Sequence, residues 1–357
     1  MGRNRAMTWS GARRHGAKWG YSPGRHGQLG VAIGGFTAGL LLLTAAPLSA
    51  LEAREYSEEI SLDSIVNAAK PAISTPDEQV LPTRQWKGGY EFSSDRGDAA
   101  HLPSNPNGRI TLAPQHGTAI SVELPFAEHM EEGTQAADGS VLYSSSGDTD
   151  FVVQVFGDAS VAIHSVIGSP RAPHSIPYDF SLPSAAELKL LSDGAVLVSD
   201  SRGDFLALVA KPWATDAAGR KLETRYEIAG HTLVQIVEPG HNPSYPIVAD
   251  PYLGIALIDN VIRNYHTGQG YRYYVAPSVF ARAIQPASVA GLTARTPAWN
   301  EAKGYYSQMN TASIRDQFYC HWDYKASGLT IVKSTWNLEA WRPHTTYRKL
   351  LNAKCNN

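Results

Sequence analysis

Short apolar runs alternate with turn-forming residues through the middle of the chain. They recur at roughly ten-residue spacing between residues 118 and 250, and Asp-Gly, Arg-Gly or Ala-Gly pairs stand between many of them. The runs are AISVELPF, SVLYS, DFVVQVF, SVAIHSVI, ELKLL, AVLVS, DFLALVA, LETRYEI and HTLVQIV. In LETRYEI the alternation places Leu222, Tyr226 and Ile228 on one face. Many short strands joined by tight turns predict a mostly β chain with an antiparallel, β-sandwich-like module over 118–250.

The segment before this module has a different pattern. Pro, Gly, Ser and Asp recur every few residues between positions 72 and 117, and one short amphipathic helix is predicted in EYSEEISLDSIVNAAKP. Residues 51–117 are therefore predicted to be a loosely ordered acidic segment. Two Arg-Gly-Asp tripeptides, at 96–98 and 202–204, are interpreted as turns and not as adhesion motifs, because Gly and Asp favour tight turns.

The pattern changes again after SYPIVADPYLG, and we place a domain boundary at Asp250. Gly268 and Gly270 separate two β-prone runs and predict a hairpin. Thr296 followed by Pro297 predicts the start of a helix, and TYRKLLNAKC predicts a short final helix. Strands followed by helices predict a small α+β domain over 251–357.

Charge is divided unevenly along the chain. Residues 29–250 carry 13 Lys and Arg against 28 Asp and Glu, whereas residues 251–357 carry 12 against 5. The opposite balances predict attraction between the β-rich module and the C-terminal domain. The basic part also holds ten Tyr and four Trp. Aromatic rings among bases suit an anionic cell-envelope polymer or anionic lipid; the alternative is that the tyrosines only cover a pleated surface.

The N-terminus has the features of an export signal. Residues 1–28 carry six bases and no acid, and an apolar run of eighteen residues from Leu29 to Ala46 follows. Pro47 and small residues up to position 50 resemble a cleavage site. Residues 1–50 are therefore predicted to be a signal peptide or, since the run almost spans a bilayer, an uncleaved transmembrane anchor. Both predict a secreted protein or one on the extracellular face of the cell membrane.

Cys320 and Cys355 are the two cysteines of the chain. Outside the cytosol a disulfide is the expected state, and it would staple the C-terminal domain. A bridge closing a loop of about 36 residues contributes about 4 kcal/mol through the entropy of the unfolded chain.

Polar and aromatic residues concentrate near the C-terminus and allow three interpretations. Catalysis would use His321, Glu339, Arg342 and His344, which supply the base, acid and cation of metal-independent phosphodiester cleavage. A binding surface would use Arg315, Trp336, Trp341 and Arg342. In the structural interpretation, Glu339 and Arg342 are an ordinary ion pair and the two tryptophans belong to the core.

Strong catalytic signatures are missing from the sequence. It contains no Gly-x-Ser-x-Gly, His-Glu-x-x-His, phosphate loop or Gly-x-Gly-x-x-Gly motif. No cofactor and no metal are predicted, and a binding module is favoured over an enzyme. The alternative function is a secreted, toxin-like effector that cleaves nucleic acid.

Three blocks near the C-terminus carry a resemblance. RDQFYCH at 315–321, WNLEAWRP at 336–343 and Cys355-Asn356 occur in that order. Together they resemble the C-terminal domain of unknown function 2599, which is found on exported actinobacterial proteins. The family has no assigned activity, so the resemblance implies location and architecture and leaves the chemistry open.

Overall fold

The computed structural model describes residues 82, 84–284, 288–324 and 335–355. The predicted export signal and the helix predicted between residues 55 and 71 lie outside this part of the chain. Among the helices of the described ranges, none is long and apolar enough to cross a membrane.

Twenty-one strands lie in the described residues. In chain order the first eighteen are β1 (Arg84–Trp86), β2 (Gly89–Ser93), β3 (Ala99–Pro103), β4 (Arg109–Ala113), β5 (Ile120–Glu123), β6 (Thr134–Gln135), β7 (Val141–Tyr143), β8 (Thr149–Val155), β9 (Val161–Ile167), β10 (Ser175–Ser181), β11 (Glu187–Leu190), β12 (Val196–Ser199), β13 (Phe205–Val209), β14 (Ala214–Asp216), β15 (Glu223–Ala229), β16 (Thr232–Glu238), β17 (Ile247–Ala249) and β18 (Tyr252–Gly254). The last three are β19 (Ile258–His266), β20 (Gly270–Pro277) and β21 (Trp336–Glu339).

The first eighteen strands form two antiparallel sheets. One has the order β1-β2-β3-β4-β5-β10-β16-β15, and the other has β11-β12-β13-β18-β9-β8-β7-β6 with β17 and β14 attached beside β9. Alternate residues point into one shared core: Ile110 and Leu112 of β4 are fully buried, whereas Arg109 is exposed. The predicted sandwich-like module is confirmed, and each of the nine predicted runs contains a strand.

The segment before residue 118 is more ordered than the sequence predicts. Residues 84–117 were expected to be loosely ordered, but they contribute β1 to β4 to the first sheet. Each of these strands carries only one or two large apolar residues, set among Pro, Gly, Ser and Asp, so no apolar run stands out between the turns. Both Arg-Gly-Asp tripeptides lie in turns, with Gly97 and Gly203 in the left-handed region at φ 90° and 82°.

The remaining strands and four helices form the C-terminal part. β19, β20 and β21 make an antiparallel sheet, and the predicted hairpin joins the first two. The helices are α1 (Val279–Ala283), α2 (Val289–Tyr305), α3 (Ala312–Tyr324) and α4 (Tyr347–Asn352). Cys320 of α3 is bonded to Cys355, with the two Cα atoms 5.5 Å apart, so the predicted disulfide-stapled α+β part is confirmed.

The second helix begins earlier than predicted. Its N-cap is Ser288, whose hydroxyl accepts a hydrogen bond from the Gly291 amide, and Pro297 lies inside the helix instead of at its start. Apart from Trp299, its buried residues are small and give little hydrophobic contrast, which the sequence pattern did not reveal. These are Ala290, Gly291, Ala294, Ala298 and Ala302.

Two carboxylates of the β-rich part accept hydrogen bonds from the first turns of these helices. Asp158 accepts from the Phe280 amide of α1 at 2.7 Å, and Asp193 accepts from the Ala290 amide of α2 at 2.8 Å. The first amides of a helix have no partner within the helix and lie at its positive end. The acidic part therefore contacts the basic part through helix ends.

An ion pair and a close apolar contact complete this joint. Arg96 donates to Glu301 of α2 at 2.8 Å, so the base belongs to the acidic part and the acid to the basic part. The Phe280 ring lies over Gly254, where an added Cβ would be 2.1 Å from a ring carbon. Tyr252 packs against the same ring, with centroids 5.0 Å apart. A side chain at position 254 would displace Phe280.

Replacing Asp158 tests the joint. We expect Asp158→Ala to lower the free energy of unfolding by about 1–3 kcal/mol, because the Phe280 amide and the buried Ser160 hydroxyl lose their acceptor. Urea denaturation followed by tryptophan fluorescence measures this change. The control is Asp204→Ala, which removes an exposed carboxylate from a turn. Equal midpoints for the two variants would contradict the role assigned to Asp158.

Candidate functional site

The open face of the C-terminal sheet carries a charged cluster. Tyr273 of β20 and Leu338 of β21 are buried against the helices. Their neighbours Arg272 and Glu339 are paired directly across the two strands and lie on the opposite face. We call Arg272, Glu339, Trp341 and Arg342 the Glu339 cluster.

Both oxygens of Glu339 are engaged by arginines. Oε1 accepts from Arg272 at 2.6 Å and Oε2 accepts from Nε of Arg342, so the ion pair considered in the structural interpretation is present. The Arg272 guanidinium lies 5.2 Å from the centre of the Trp341 ring, and the His266 ring packs against that ring at 5.7 Å. Glu339 thus pairs with two arginines at once, and the three side chains together carry one net positive charge.

Gln317 fixes the position of this cluster from α3. Its Oε1 accepts from the Glu339 amide at 2.8 Å, and its Nε2 donates to the Glu339 carbonyl at 3.1 Å. Ser313 of the same helix donates to the Arg342 carbonyl. Gln317 belongs to RDQFYCH and Glu339 to WNLEAWRP, so these bonds join the two blocks. Sequence reasoning had not selected Gln317 or Arg272, because neither role is visible before the chain folds.

His321 and Trp336 lie on the opposite side, between sheet and helices. Their rings stack nearly parallel, with centroids 6.1 Å apart. Trp336 is only 8% exposed and packs against Phe318 and Trp322. This burial agrees with the core interpretation of Trp336 and leaves little of its ring accessible to a ligand. Its binding role stays a prediction.

His344 and Arg315 share a third location. His344 Nε2 is 2.9 Å from Oδ2 of Asp316, and Arg315 donates to Oδ1 of the same carboxylate at 3.1 Å. Both side chains are about half exposed.

Of the four catalytic candidates, the contacts in the described residues join only Glu339 and Arg342. His321 and His344 lie at two other locations, so the four residues do not form one site. The catalytic assignment stays a prediction.

A further carboxylate connects the helices. Asp323 of α3 accepts from Arg295 of α2 at 2.7 Å and from the Tyr347 hydroxyl of α4. Burial and this hydrogen bond raise the pKa of Tyr347, so its hydroxyl stays protonated and donates. The Cys320–Cys355 bridge lies beside this contact and shares a small buried cluster with Leu350. Together they fix α4 against α3.

The β19–β20 hairpin carries an arginine held between aromatic rings. The Arg263 guanidinium lies 4.6 Å from the Tyr271 ring centre and 4.7 Å from that of Tyr306. Tyr265 packs edge-on against Tyr271 at 5.3 Å and is 65% exposed. Within the described residues Arg263 contacts no carboxylate, in contrast to Arg272, Arg295, Arg315 and Arg342. We call Arg263, Tyr265, Tyr271 and Tyr306 the Arg263 platform.

A second basic area lies at α4. Arg348 and Lys349 of this helix and Lys354 after it are exposed, and they form no ion pair with any residue the structure describes. Groups of three or more His, Cys, Asp or Glu side chains able to hold a metal ion do not occur in the described ranges.

Comparisons with known proteins match this region to a family of unknown function. Residues 263–357 match the family described as "Protein of unknown function (DUF2599)". Uncharacterized proteins of Mycobacterium tuberculosis and Mycobacterium bovis are 39% identical over 66 residues, which is 18% of this chain and 44% of each relative. The chain thus matches less than half the length of these relatives.

The family match confirms the resemblance predicted from the three sequence blocks, and the relatives are actinobacterial. Among solved structures, virginiamycin B lyase from Staphylococcus aureus aligns with 56% of this chain and 80% of its own, at 13% identity and a TM-score of 0.14. That score is too low to indicate a common fold.

Replacing Glu339 tests the cluster. We expect Glu339→Ala to lower the free energy of unfolding by about 2–3 kcal/mol, because two partly buried guanidiniums lose their carboxylate. Glu339→Gln keeps the shape and one acceptor oxygen and should cost less. Equilibrium unfolding in urea gives the free energy of unfolding of the original protein and of the two variants. An alanine variant as stable as the original would show that the two ion pairs contribute nothing net.

Proposed function

We propose that this is an exported or cell-surface protein whose C-terminal region, residues 251–357, binds an anionic cell-envelope polymer. The observation that carries the proposal is the Arg263 platform. Its guanidinium is held between two rings, where it has no carboxylate partner among the described residues. A cation without an internal counter-charge is the group that an anionic ligand would satisfy.

The platform suits a phosphate- or carboxylate-bearing sugar polymer. A guanidinium presents several N–H donors in one plane, which match the oxygens of phosphate or carboxylate. The flanking rings restrict its motion before the ligand arrives, so less conformational entropy is lost on binding. The exposed Tyr265 ring adds an apolar surface on which a sugar or glycerol unit of the polymer would stack.

The arrangement of the other charges supports binding over catalysis. Glu339 already accepts from two arginines, and His344 contacts Asp316. A general acid or base would have to leave these partners before it could transfer a proton. The exposed bases around α4 form a second positive area without adding a proton-transfer group.

Export is part of the proposal and has separate support. A cationic stretch precedes the apolar run from Leu29 to Ala46, as in secretory signals. The Cys320–Cys355 disulfide favours an oxidising location, because cytosolic thiols are kept reduced.

The binding test uses the full chain and fluorescent poly(glycerol phosphate). We expect Arg263→Ala to weaken binding about tenfold, equivalent to about 1.4 kcal/mol, because one fixed cation is lost. Tyr265→Ala should weaken it less. Fluorescence anisotropy at several salt concentrations measures both. The control is Arg202→Ala, which removes one positive charge from an exposed turn of the β-rich part and should leave affinity unchanged.

Two outcomes would contradict the proposal. Equal loss of affinity in the Arg263 and Arg202 variants would mean that only net charge matters. Shortened products after incubation with RNA or DNA, abolished by His344→Ala, would instead support the nucleic-acid-cleaving alternative.

A further inference from the structure

Strand β19 forms one edge of the C-terminal sheet, whose order is β19-β20-β21. It spans nine residues and pairs with β20 over most of its length. The carbonyls of its first two residues accept from Arg96 at 2.6 Å and from the Tyr305 hydroxyl at 2.9 Å, so side chains of the protein already use the start of this strand. Between Asn260 and Tyr265, no backbone group bonds to a described residue outside β20. This stretch of the edge is open.

The open stretch lacks the groups that usually protect an edge. Exposed edges of sheets carry Lys, Pro, a bulge or an inward-pointing charge, which prevent another strand from pairing with them. The residues NVIRNY at 260–265 include no Lys, Pro or acid, and the irregularity in the pairing with β20 lies before them. Their one charge, on Arg263, is held by Tyr271 and Tyr306 on the face that packs against the helices. The edge can therefore accept a further strand.

The exposed side chains of β19 have a symmetric order around Ile262. Asn260, Ile262 and Asn264 lie on the same face of the sheet as Arg272, and all three are exposed. At 53%, Ile262 is the most exposed large aliphatic side chain among the described residues. The order Asn-Ile-Asn is the same in both directions, so it matches itself when two copies of the strand run antiparallel.

We propose that β19 pairs antiparallel with β19 of a second copy of this chain, centred on Ile262. Ile262 then faces the partner's Ile262, and each Asn260 faces the partner's Asn264. Side chains directly opposite each other stabilise paired strands, and two amides can each donate and accept. Because a twofold axis relates the copies, both bury the same patch and the assembly closes as a dimer. Three strands from each copy form one continuous antiparallel sheet.

Charge and polarity favour this register over its neighbours. Centring the pair on Arg263 would place two guanidiniums directly opposite each other, which is unfavourable. Centring it on Val261 would place Asn260 opposite the partner's Ile262. With Ile262 at the centre, each Arg263 faces the partner's Val261 instead. The matched stretch, residues 260–264, is longer than the four-residue pairing between β4 and β5, so strand pairing of this length already occurs in the fold.

The dimer brings the two Arg263 platforms together. The twofold axis is perpendicular to the sheet, so both platforms lie on the same face of it. A polymer with repeated anionic groups would contact both, and the second contact gains from the effective concentration that the first creates. This consequence rests on the proposed function, whereas the dimer itself does not.

Sedimentation velocity of the full chain over a range of concentrations, without polymer, tests the dimer. We expect a monomer–dimer equilibrium in which Ile262→Lys weakens association at least about tenfold, because two ammonium groups would face each other across the axis. The control is Leu292→Lys, which places the same charge at a 50% exposed position of α2 and should leave association unchanged. The apolar run from Leu29 to Ala46 is the same in both variants, so association through it would not distinguish them.

A cysteine cross-link tests the register. Directly opposite residues of antiparallel strands have Cα atoms about 4.5–5.5 Å apart, a separation that a disulfide spans. Ile262→Cys should therefore give a covalent dimer under mild oxidation, seen on non-reducing electrophoresis. Asn264→Cys should not, because the two new cysteines would be offset by four residues, about 14 Å along the strands. The native cysteines are buried and already bonded to each other, so they do not compete.

Three results would overturn the inference. One is a chain that sediments as a monomer at every concentration. Another is equal association of the Ile262→Lys and Leu292→Lys variants, each verified as folded by circular dichroism, which would assign the contact to another surface. The third is equal cross-linking of Ile262→Cys and Asn264→Cys, which would contradict the register. Because dimerisation is measured without polymer, failure of the polymer-binding test leaves this result standing, and the two proposals fail separately.

Discussion

The structure depends on how two helix ends are met by carboxylates of the β-rich part, one of them buried and the other partly buried. Asp158 and Asp193 come from turns of the β-rich part, and each accepts from an amide in the first turn of a C-terminal helix. A helix end buried without acceptors would be costly, because its first amides lose water and gain nothing in return. These two bonds give α1 and α2 one favourable position on the sheet. The Phe280 ring over Gly254 and the Arg96–Glu301 pair then hold that position.

The contacts between the acidic and basic parts are not the ones that their opposite net charges suggest. An acidic part beside a basic part suggests contact between two oppositely charged surfaces, but the acids at the joint meet backbone amides. In the part of the chain that the structure describes, the arginine that crosses to a C-terminal carboxylate is Arg96, which comes from the acidic part. The acids of the basic part at 301, 316, 323 and 339 are likewise used in its own pairs or with Arg96. Its positive surplus therefore remains on the surface, around Arg263 and along α4.

Arginine is used in two ways on the C-terminal sheet. Arg272 and Arg342 share the carboxylate of Glu339, which offsets one of their two positive charges. Arg263 is held by the faces of two tyrosines, which orient the guanidinium without neutralising its charge. The first arrangement joins two arginines to a carboxylate, and the second leaves a guanidinium without a carboxylate partner among the described residues. The arginines thus differ according to whether a carboxylate or an aromatic ring contacts the guanidinium.

The sequence by itself determined the layered β architecture, the hairpin, the disulfide and the family of the C-terminal region. These depend on local signals: period-two alternation, glycines that adopt turn conformations, two cysteines and contiguous motif blocks. Strands β1 to β4 were not recognised, since each carries only one or two large apolar residues. The start of α2 was misplaced because the residues that its first turns bury are Ala and Gly.

Only the tertiary structure decided which polar residues meet. Gln317 reaches Glu339 across 22 positions of the chain, Arg272 reaches it across 67, and Asp158 reaches Phe280 across 122. No spacing rule relates such residues, because their contact follows from the packing of whole elements.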